Sequence, residues 1–204
     1  MLKQNSELRA EARQALQGKW VMAAVAALIY SAIVGATSYL PLVGTLLIGL
    51  PVTYGFTILM LNVIRGAQDI DLGILFEGFK DYARIMGTVV LVFVYTFLWS
   101  LLLVIPGIIK SYSYAMTPYI LKEEPEMRNN AAIEKSMAMM EGNKMKLFLL
   151  DLSFIGWAIL AIFTFGIGLL FLQPYRQGAR AAFYEDLKVQ TCVANTAAEV
   201  NMEV

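Results

Sequence analysis

Three long apolar stretches dominate the chain, and each is interrupted near its middle by a short turn that carries no charged residue. The turns are Tyr39 to Gly44, Ile105 to Gly107 and Thr164 to Gly168, and nearly all charged residues lie between the stretches. A segment that crosses a bilayer must satisfy its backbone hydrogen bonds internally, because lipid offers no partners. The pattern therefore predicts three helical hairpins whose polar connections all lie on one side of a membrane.

The composition and the segment lengths support this interpretation. The chain is 58% hydrophobic and 16% charged, whereas soluble domains are typically about 45–50% apolar. A helix needs about 20 mostly apolar residues to cross a bilayer. Four segments reach that length: Trp20 to Tyr39, Gly44 to Ile64, Ile85 to Ile105 and Leu147 to Phe165.

Two further segments are needed to complete the hairpins. Gly107 to Leu121 is short, and Gly168 to Leu187 contains several polar residues. If either failed to cross, basic segments would fall on opposite sides of the membrane. We therefore predict an all-α, polytopic membrane bundle of six transmembrane helices, arranged as three hairpins with short interfacial amphipathic helices.

The basic residues indicate which side faces the cytoplasm. Of the 16 lysines and arginines, all except Lys110 lie outside the hairpins or toward their inner ends. The positive-inside rule places such residues on the cytoplasmic side, so both termini are expected there. We predict a single transmembrane domain over residues 1–188, with hairpins at about 20–64, 85–121 and 147–187, and a polar, disordered tail over 189–204.

The chain carries signs of an internal repeat. The turn glycines Gly44, Gly107 and Gly168 are 63 and 61 residues apart, and Gly18 aligns with Gly142. A fixed period of this length suggests a triplicated unit. Each unit begins with a short amphipathic segment, which we expect to lie along the cytoplasmic interface, either as a connector or as a surface for lipid or a partner.

Small residues recur at helical spacing in the first and last predicted spans. Such residues let two helix backbones approach closely in a membrane. The helix that packs here belongs either to the same chain or to a second copy in a homo-oligomer. The predicted packing residues are Ala23, Ala27, Ser31, Gly35, Gly178 and Ala182.

Charged side chains inside the predicted spans are the sharpest functional signal. Asp151 and Arg180 come to a similar depth if their two helices are antiparallel neighbours, so we expect them to pair. A charge near the bilayer centre costs about 2.5–3.5 kcal/mol on insertion scales, and such residues face partners or water. Three roles remain open: a structural ion pair, a solute or ion pathway, and an anionic-lipid site. The candidate polar site comprises Lys110, Asp151, Gln173, Arg176 and Arg180.

Features typical of enzymes and nucleic-acid-binding proteins are missing from the sequence. The chain has no histidine, one cysteine (Cys192) and no pair of carboxylates within a predicted span. Histidine is the commonest general base and metal ligand, so we predict no catalytic residue, metal or cofactor. The net charge of zero argues against a nucleic-acid partner. The lipid bilayer is the one partner that the sequence indicates directly.

Several ordered motifs resemble a known family. They are Ala12 to Trp20, Ile105 to Met116, Ser136 to Lys144, Leu152 to Trp157, Thr164 to Gly168, Pro174-Tyr175 and Ala182-Phe183-Tyr184. Together they resemble the bacterial integral-membrane family catalogued as domain of unknown function 975, from about Leu8 to Leu187. The resemblance implies a multi-pass protein of the bacterial cytoplasmic membrane. It implies no activity, substrate or catalytic residue.

The sequence favours a non-catalytic membrane scaffold or membrane-homeostasis factor. The alternative is a small-solute or ion transporter or channel that uses the polar site of the third hairpin. The two hypotheses differ in what should surround Asp151 and Arg180. A dry contact with no cavity would favour a scaffold, whereas an open cleft lined by these side chains would favour transport.

The topology can be tested by a reporter that is active only outside the cytoplasm. Fused after Lys122, it should give background signal, because that position is predicted to be cytoplasmic. The same reporter inserted at Gly44 should be active. Strong activity after Lys122 would contradict the six-span topology.

Overall fold

The computed structural model describes residues 2–37, 39, 43–164 and 166–202, without the side chains of residues 102 and 193–202. The middle of the first predicted turn, residues 40–42, and Phe165 in the third lie outside this part of the chain. Every element within it is a helix. These are α1 (Asn5–Ala15), α2 (Trp20–Thr37), a π-helical segment (Thr45–Gly49), α3 (Leu50–Ile64), a 3₁₀ helix (Leu72–Phe79), α4 (Tyr82–Leu102), α5 (Val104–Ser113), α6 (Thr117–Glu123), α7 (Asn130–Met139), α8 (Lys144–Leu152), α9 (Ile155–Ile162) and α10 (Ile167–Met202).

Four helical segments are long and apolar enough to cross a membrane. They are Trp20–Thr37, Thr45–Ile64, Tyr82–Leu101 and Lys144–Ile162. They overlap the four segments that reached membrane-spanning length in the sequence. The all-helical fold and these four candidate spans are those of a membrane protein.

The remaining predicted spans take different forms. The segment predicted as Gly107 to Leu121 is broken into α5 and α6, whereas α10 runs without interruption from Ile167. We predicted a disordered tail from residue 189, but the structure continues α10 to Met202. Polarity alone does not disfavour a helix, and the alanines and glutamate near its end have good helix propensity.

The middle turn also lies earlier than predicted. Leu103 is the extended residue that separates α4 from α5, so Gly107 lies within α5 and not in the turn. The turn was placed at Ile105 to Gly107, but the helix already begins at Val104 and includes Pro106 in its first turn. Proline is tolerated in the first turn of a helix, where its missing N–H has no intrahelical partner.

The three glycines predicted at the turns share one geometric role. Each lies near the start of the second helix of its hairpin. It contacts the residue seven positions earlier in the chain, near the end of the first helix. A Cβ at Gly44 would lie 2.7 Å from the Thr37 carbonyl oxygen, and a Cβ at Gly168 would lie 2.9 Å from the Ala161 Cβ. A Cβ at Gly107 would overlap Ser100 Oγ. The same contact in all three hairpins supports the repeat inferred from the sequence.

The first and third units share a second backbone feature. Gly18 lies between α1 and α2 with φ of 74°, and Gly142 lies between α7 and α8 with φ of 73°. Positive φ is readily adopted only by glycine, so both positions need this residue. The alignment of Gly18 with Gly142 thus corresponds to one backbone turn used twice.

The helix that precedes a hairpin packs on the second helix of the previous hairpin. The 3₁₀ helix lies so close to α3 that a Cβ at Gly55 would overlap the backbone of Leu75. In the next unit, α7 meets the junction of α5 and α6 through Ser136. Its Oγ donates a hydrogen bond to the Ser113 carbonyl (2.8 Å) and accepts one from the Met116 N–H (3.2 Å). These helices therefore cover the hairpins as well as connecting them.

The N-terminal helix closes this arrangement into a ring. In α1, Leu8 and Ala12 are fully buried, and Ala12 Cβ lies 3.4 Å from the position that a Cβ would take at Gly178 of α10. The Lys3 backbone N–H also donates to Asp186 Oδ2 at 2.6 Å. The first unit thus packs on the third, as the second packs on the first and the third on the second.

The span Thr45–Ile64, α6 and the middle of α10 lie inside this ring, whereas α5, the start of α10 and the first helices of the hairpins are more exposed. Two thirds (67%) of the span Thr45–Ile64 is buried, but only 17–22% of the other three candidate spans is. Phe97 and Trp157, on outer helices, are more than half exposed. Exposed apolar surface of this extent suits lipid rather than water.

Ion pairs join the three inner helices where α3 and α6 end. The Glu123 carboxylate accepts hydrogen bonds from Arg65, from Tyr184 Oη (2.8 Å) and from Lys188 Nζ (2.8 Å). Arg65 Nε also donates to Glu185 at 2.6 Å. Burial raises the pKa of the Glu123 carboxyl, but the hydrogen bonds from Lys188, Tyr184 and Arg65 outweigh it and hold the pKa below its ordinary value.

Replacing Glu123 by Gln should destabilise the bundle in a pH-dependent way. The loss near neutral pH should be about 1–3 kcal/mol, because the change removes a charged acceptor from a partly buried cluster. A lowered folded-state pKa means that this stabilisation is present above the ordinary glutamate pKa of about 4.3 and is lost as pH falls through the folded-state value.

Thermal unfolding of the full chain in detergent would measure this effect. The gap in melting temperature between wild type and Glu123→Gln should be constant near neutral pH and should shrink below about pH 5. The matched control is Glu126→Gln in the exposed connection nearby, which should unfold like wild type. A gap that does not change with pH would contradict the proposed role of the charge.

Adding a methyl group at Gly55 should also destabilise the fold. Gly55→Ala forces the 3₁₀ helix away from α3, and overpacking of this kind typically costs about 1–3 kcal/mol. Gly35→Ala is the control, since nothing lies within 4 Å of a Cβ there. That variant should be neutral or slightly stabilised, by up to about 1 kcal/mol from helix propensity. Equal melting temperatures for the two variants would refute the close approach.

Candidate functional site

A cavity of about 260 Å³ lies between the inner helices of the three hairpins. We call it the axial cavity, because α3, the junction of α5 with α6, and α10 surround it. Its lining residues are Tyr30, Thr53, Phe56, Thr57, Ala115, Met116, Pro118, Tyr119, Gln173, Arg176, Gln177 and Arg180. The walls therefore combine aromatic, hydroxyl, amide and guanidinium groups.

The repeat explains which positions reach this cavity. Nine residues after the glycines Gly44, Gly107 and Gly168, the three hairpins supply Thr53, Met116 and Gln177. Twelve residues after the same glycines they supply Phe56, Tyr119 and Arg180. Equivalent positions of three similar units thus line one space. The third unit differs by placing an amide and a guanidinium there.

Arg180 is held by an ion pair at the edge of the axial cavity. Its Nε donates to Asp151 Oδ1 at 2.9 Å, and its Nη2 donates to Asp151 Oδ2. The Tyr112 hydroxyl donates to the same Oδ2 at 3.1 Å. Only 13% of the Asp151 side chain is exposed, so this carboxylate is largely committed to Arg180 and Tyr112. The pair that we expected between antiparallel helices is formed.

Arg176 lies one helical turn before Arg180 and is in a different situation. It is exposed, and within the described part of the chain no group accepts a hydrogen bond from it. Arg176 lines the axial cavity and also a groove on the outside of α10. Its five N–H donors and its charge are therefore available to a ligand.

Tyr119 lines the axial cavity, but its hydroxyl is buried out of reach of water. The residue is only 2% exposed, and its ring stacks on Tyr184 with centroids 4.7 Å apart. Its Oη has no hydrogen-bond partner among the described residues. A buried hydroxyl without a partner costs about 1–3 kcal/mol, so this group is a local cost to the fold.

The two glutamine side chains of α10 that border the axial cavity have different contacts. Gln177 Nε2 donates to Thr57 Oγ1 at 2.8 Å, and that hydroxyl donates to the Thr53 carbonyl at 3.0 Å. Gln177 therefore ties α10 to α3. Gln173, like Arg176, borders both the axial cavity and the outer groove.

Lys110 does not belong to this site. Its Nζ lies 5.1 Å from the centroid of the Trp99 ring and 3.9 Å from Met137 Sδ, away from the axial cavity. The prediction that grouped it with the polar residues of the third hairpin was wrong. Lys110 is three residues after Gly107, and residues at this spacing share a helix face. Because Gly107 packs on α4, Lys110 also faces α4.

The predicted packing residues contact other parts of the same chain, with one clear exception. Gly35 is exposed, and no atom lies within 4 Å of a Cβ built there. Ser31 is half-buried. The buried members are Ala23, Ala27, Gly178 and Ala182. Most of these small residues therefore pack against other parts of the same chain, whereas the surface at Gly35 has no neighbour.

Tyr119 was missed in the sequence because a single aromatic residue in an apolar segment has many ordinary roles. The informative signal was its place in the repeat, which is the same as that of Arg180. Within the described residues, no group of three or more histidine, cysteine, aspartate or glutamate side chains could hold a metal ion. The site offers hydrogen-bond donors and positive charge, which suit the binding of an anion.

Comparison with known families agrees with the resemblance noted in the sequence. The model described as "Protein of unknown function (DUF975)" matches residues 101–191. The match covers less than half of the chain, and this segment is similar to that family. No curated protein and no solved structure matches the chain.

The DUF975 segment contains most of the polar site. It extends from the end of α4 into α10, and so includes Tyr119, Asp151, Gln173, Arg176 and Arg180. Its description assigns no activity. The function of the chain must therefore be inferred from the geometry of the site.

Proposed function

We propose that this chain is a non-catalytic carrier that binds an anionic group in its axial cavity. It would lie in the cytoplasmic membrane of a bacterium as six spans in three hairpins, with both termini in the cytoplasm. The observation that carries the proposal is the guanidinium of Arg176, which lines the axial cavity and donates no hydrogen bond to any of the described residues.

The charge balance of the site supports an anion as ligand. Asp151 neutralises Arg180 through two hydrogen bonds, so the charge of Arg176 remains. A positive charge without a partner is costly in the low dielectric of a membrane. An anion beside Arg176 would remove that cost and accept hydrogen bonds from the guanidinium. Charge-assisted hydrogen bonds of this kind are among the strongest in proteins.

The position of the axial cavity supports transport more than capture at the surface. Tyr30 lies within the candidate span Trp20–Thr37, and Thr53 and Thr57 lie within Thr45–Ile64. The third wall comes from the break between α5 and α6, where Ala115 and Met116 lie. Binding sites at interrupted helices, midway through the membrane, are a recurring feature of transporters.

A scaffold is the second candidate function. Two observations favour it: the direct contact between Asp151 and Arg180, and the closed ring in which each unit packs on the next. A bundle joined in this way suits a passive structural role. In that case the axial cavity would hold only water, which can satisfy buried polar groups.

Flux through liposomes would separate the two candidates. The full chain, reconstituted in neutral lipid, should accelerate the uptake of benzoate or inorganic phosphate. Arg176→Gln should reduce that rate by about tenfold or more, because a hydrogen bond to a charged group contributes roughly 1.5–3 kcal/mol. Lys110→Gln is the matched control, since Lys110 lies outside the cavity, and its rate should equal that of wild type.

The opposite outcome is equally informative. Background leakage for wild type and Arg176→Gln, across a panel of small organic and inorganic anions, would contradict the carrier. Correct insertion of both proteins, checked by protease protection, would show that the lack of flux is not a folding failure. A scaffold would then be the better account.

A further inference from the structure

A second cavity adjoins the first on the outside of the bundle. It is a groove of about 240 Å³ between the candidate span Lys144–Ile162, which contains α8 and α9, and α10, and we call it the lateral groove. Ile155 and Ala158 form one wall, and Leu169 and Leu172 form the other. Ile155 is 51% exposed and Leu169 is 42% exposed, so the lateral groove is open at the surface that would face lipid.

The axial cavity and the lateral groove share two residues. Gln173 and Arg176 line both spaces. One ligand could therefore place its head in the axial cavity and extend past Arg176 into the lateral groove. The charge of Arg176 lies at the junction between the two spaces.

The lateral groove changes character along its length. Leu169 and Arg176 are seven residues apart on α10, which corresponds to about 10 Å along a helix. The side chains near Leu169 and Ala158 are apolar. The other end is polar and contains Gln173, Arg176 and Asp151, whose carboxylate is held by Arg180. A ligand that fits both ends must have an apolar tail and an anionic head.

The sizes of the two spaces limit this ligand further. The axial cavity, at about 260 Å³, is smaller than the usual pocket for a drug-sized molecule, about 300–1,000 Å³. A carboxylate or a phosphate would fit as the head, but a large glycosylated head group would not. The lateral groove is no larger, at about 240 Å³, which favours a ligand with one chain over a ligand with two.

We infer that the occupant is a single-chain anionic amphiphile, which enters sideways from the bilayer through the lateral groove. Its head would accept hydrogen bonds from the Arg176 guanidinium, and its chain would lie against Ala158 and Leu169. This inference rests on the proposed function, because it names the class of ligand for the same site. The inference goes beyond the proposed function because it states a route of entry that a water-soluble anion would not use.

A photoreactive palmitate, with a diazirine near the middle of its chain, would test the inference. The full chain in nanodiscs of neutral phosphatidylcholine should be labelled at peptides that cover α9 and the start of α10. Excess palmitate should remove the labelling, whereas hexadecanol, which has the same chain but no charge, should not. Arg176→Gln should reduce the labelling by about tenfold, because the head would lose its charged donor.

Blocking the groove provides the matched comparison. Ala158→Trp should abolish specific labelling, and Ile159→Trp, at an exposed neighbour outside the groove, should leave it unchanged. Leu169→Trp on the opposite wall gives a second test if Ala158→Trp does not fold. Benzoate flux through Ala158→Trp should match wild type, because the axial cavity is unaltered.

Each remaining outcome has a definite meaning. Equal competition by hexadecanol would overturn the anionic head. Labelling that persists in both groove variants, or that is absent while benzoate flux still depends on Arg176, would overturn sideways entry and leave the proposed function in place. If the wild type shows no labelling and no flux that depends on Arg176, both sideways entry and the proposed function are refuted.

Discussion

The close approach of two helices near each hairpin turn is the constraint on which the rest of the structure depends. In all three hairpins a glycine meets a residue seven positions earlier, with too little space for a Cβ. Without a hydrophobic driving force between helices in lipid, such contacts between small residues are a main source of helix association. These contacts set the distance between the two helices of each hairpin. They therefore determine which positions of the second helix reach the centre of the bundle.

The axial cavity follows from repetition of this geometry. The three similar units place equivalent positions around one axis. The space between them is therefore lined by residues that occupy the same position in each repeat. The first two units place Phe56 and Tyr119 there, and the third places Arg180. A threefold bundle of purely apolar units would have no reason to bind a charged group. Because the third unit differs from the other two, the space between the units contains polar and charged groups.

The periodicity of apolar and charged residues predicted the helical class, the four candidate spans and the pairing of Asp151 with Arg180. These features depend on local composition and on helix rise, which a sequence expresses directly. The break between α5 and α6 and the docking of the amphipathic helices were not predicted, because they depend on contacts between distant segments. Lys110 was misplaced for a related reason: its depth could be counted along the chain, but the face it presents depends on how α5 packs on α4. Tyr119 was overlooked because its role comes from a cavity that no single segment forms.

The ring of docked helices has a consequence for how the protein is made. The 3₁₀ helix and α7 each dock on a hairpin that precedes them in the chain, so these contacts can form as soon as each segment emerges. Helix α1 precedes all three hairpins in the chain, but its docking site at Gly178 is on α10 of the third. Contacts between residues so far apart in the chain form late, after the loop-closure entropy has been overcome. The docking of α1 therefore follows the docking of the 3₁₀ helix and α7, and it joins the first unit to the third only after the third has been made.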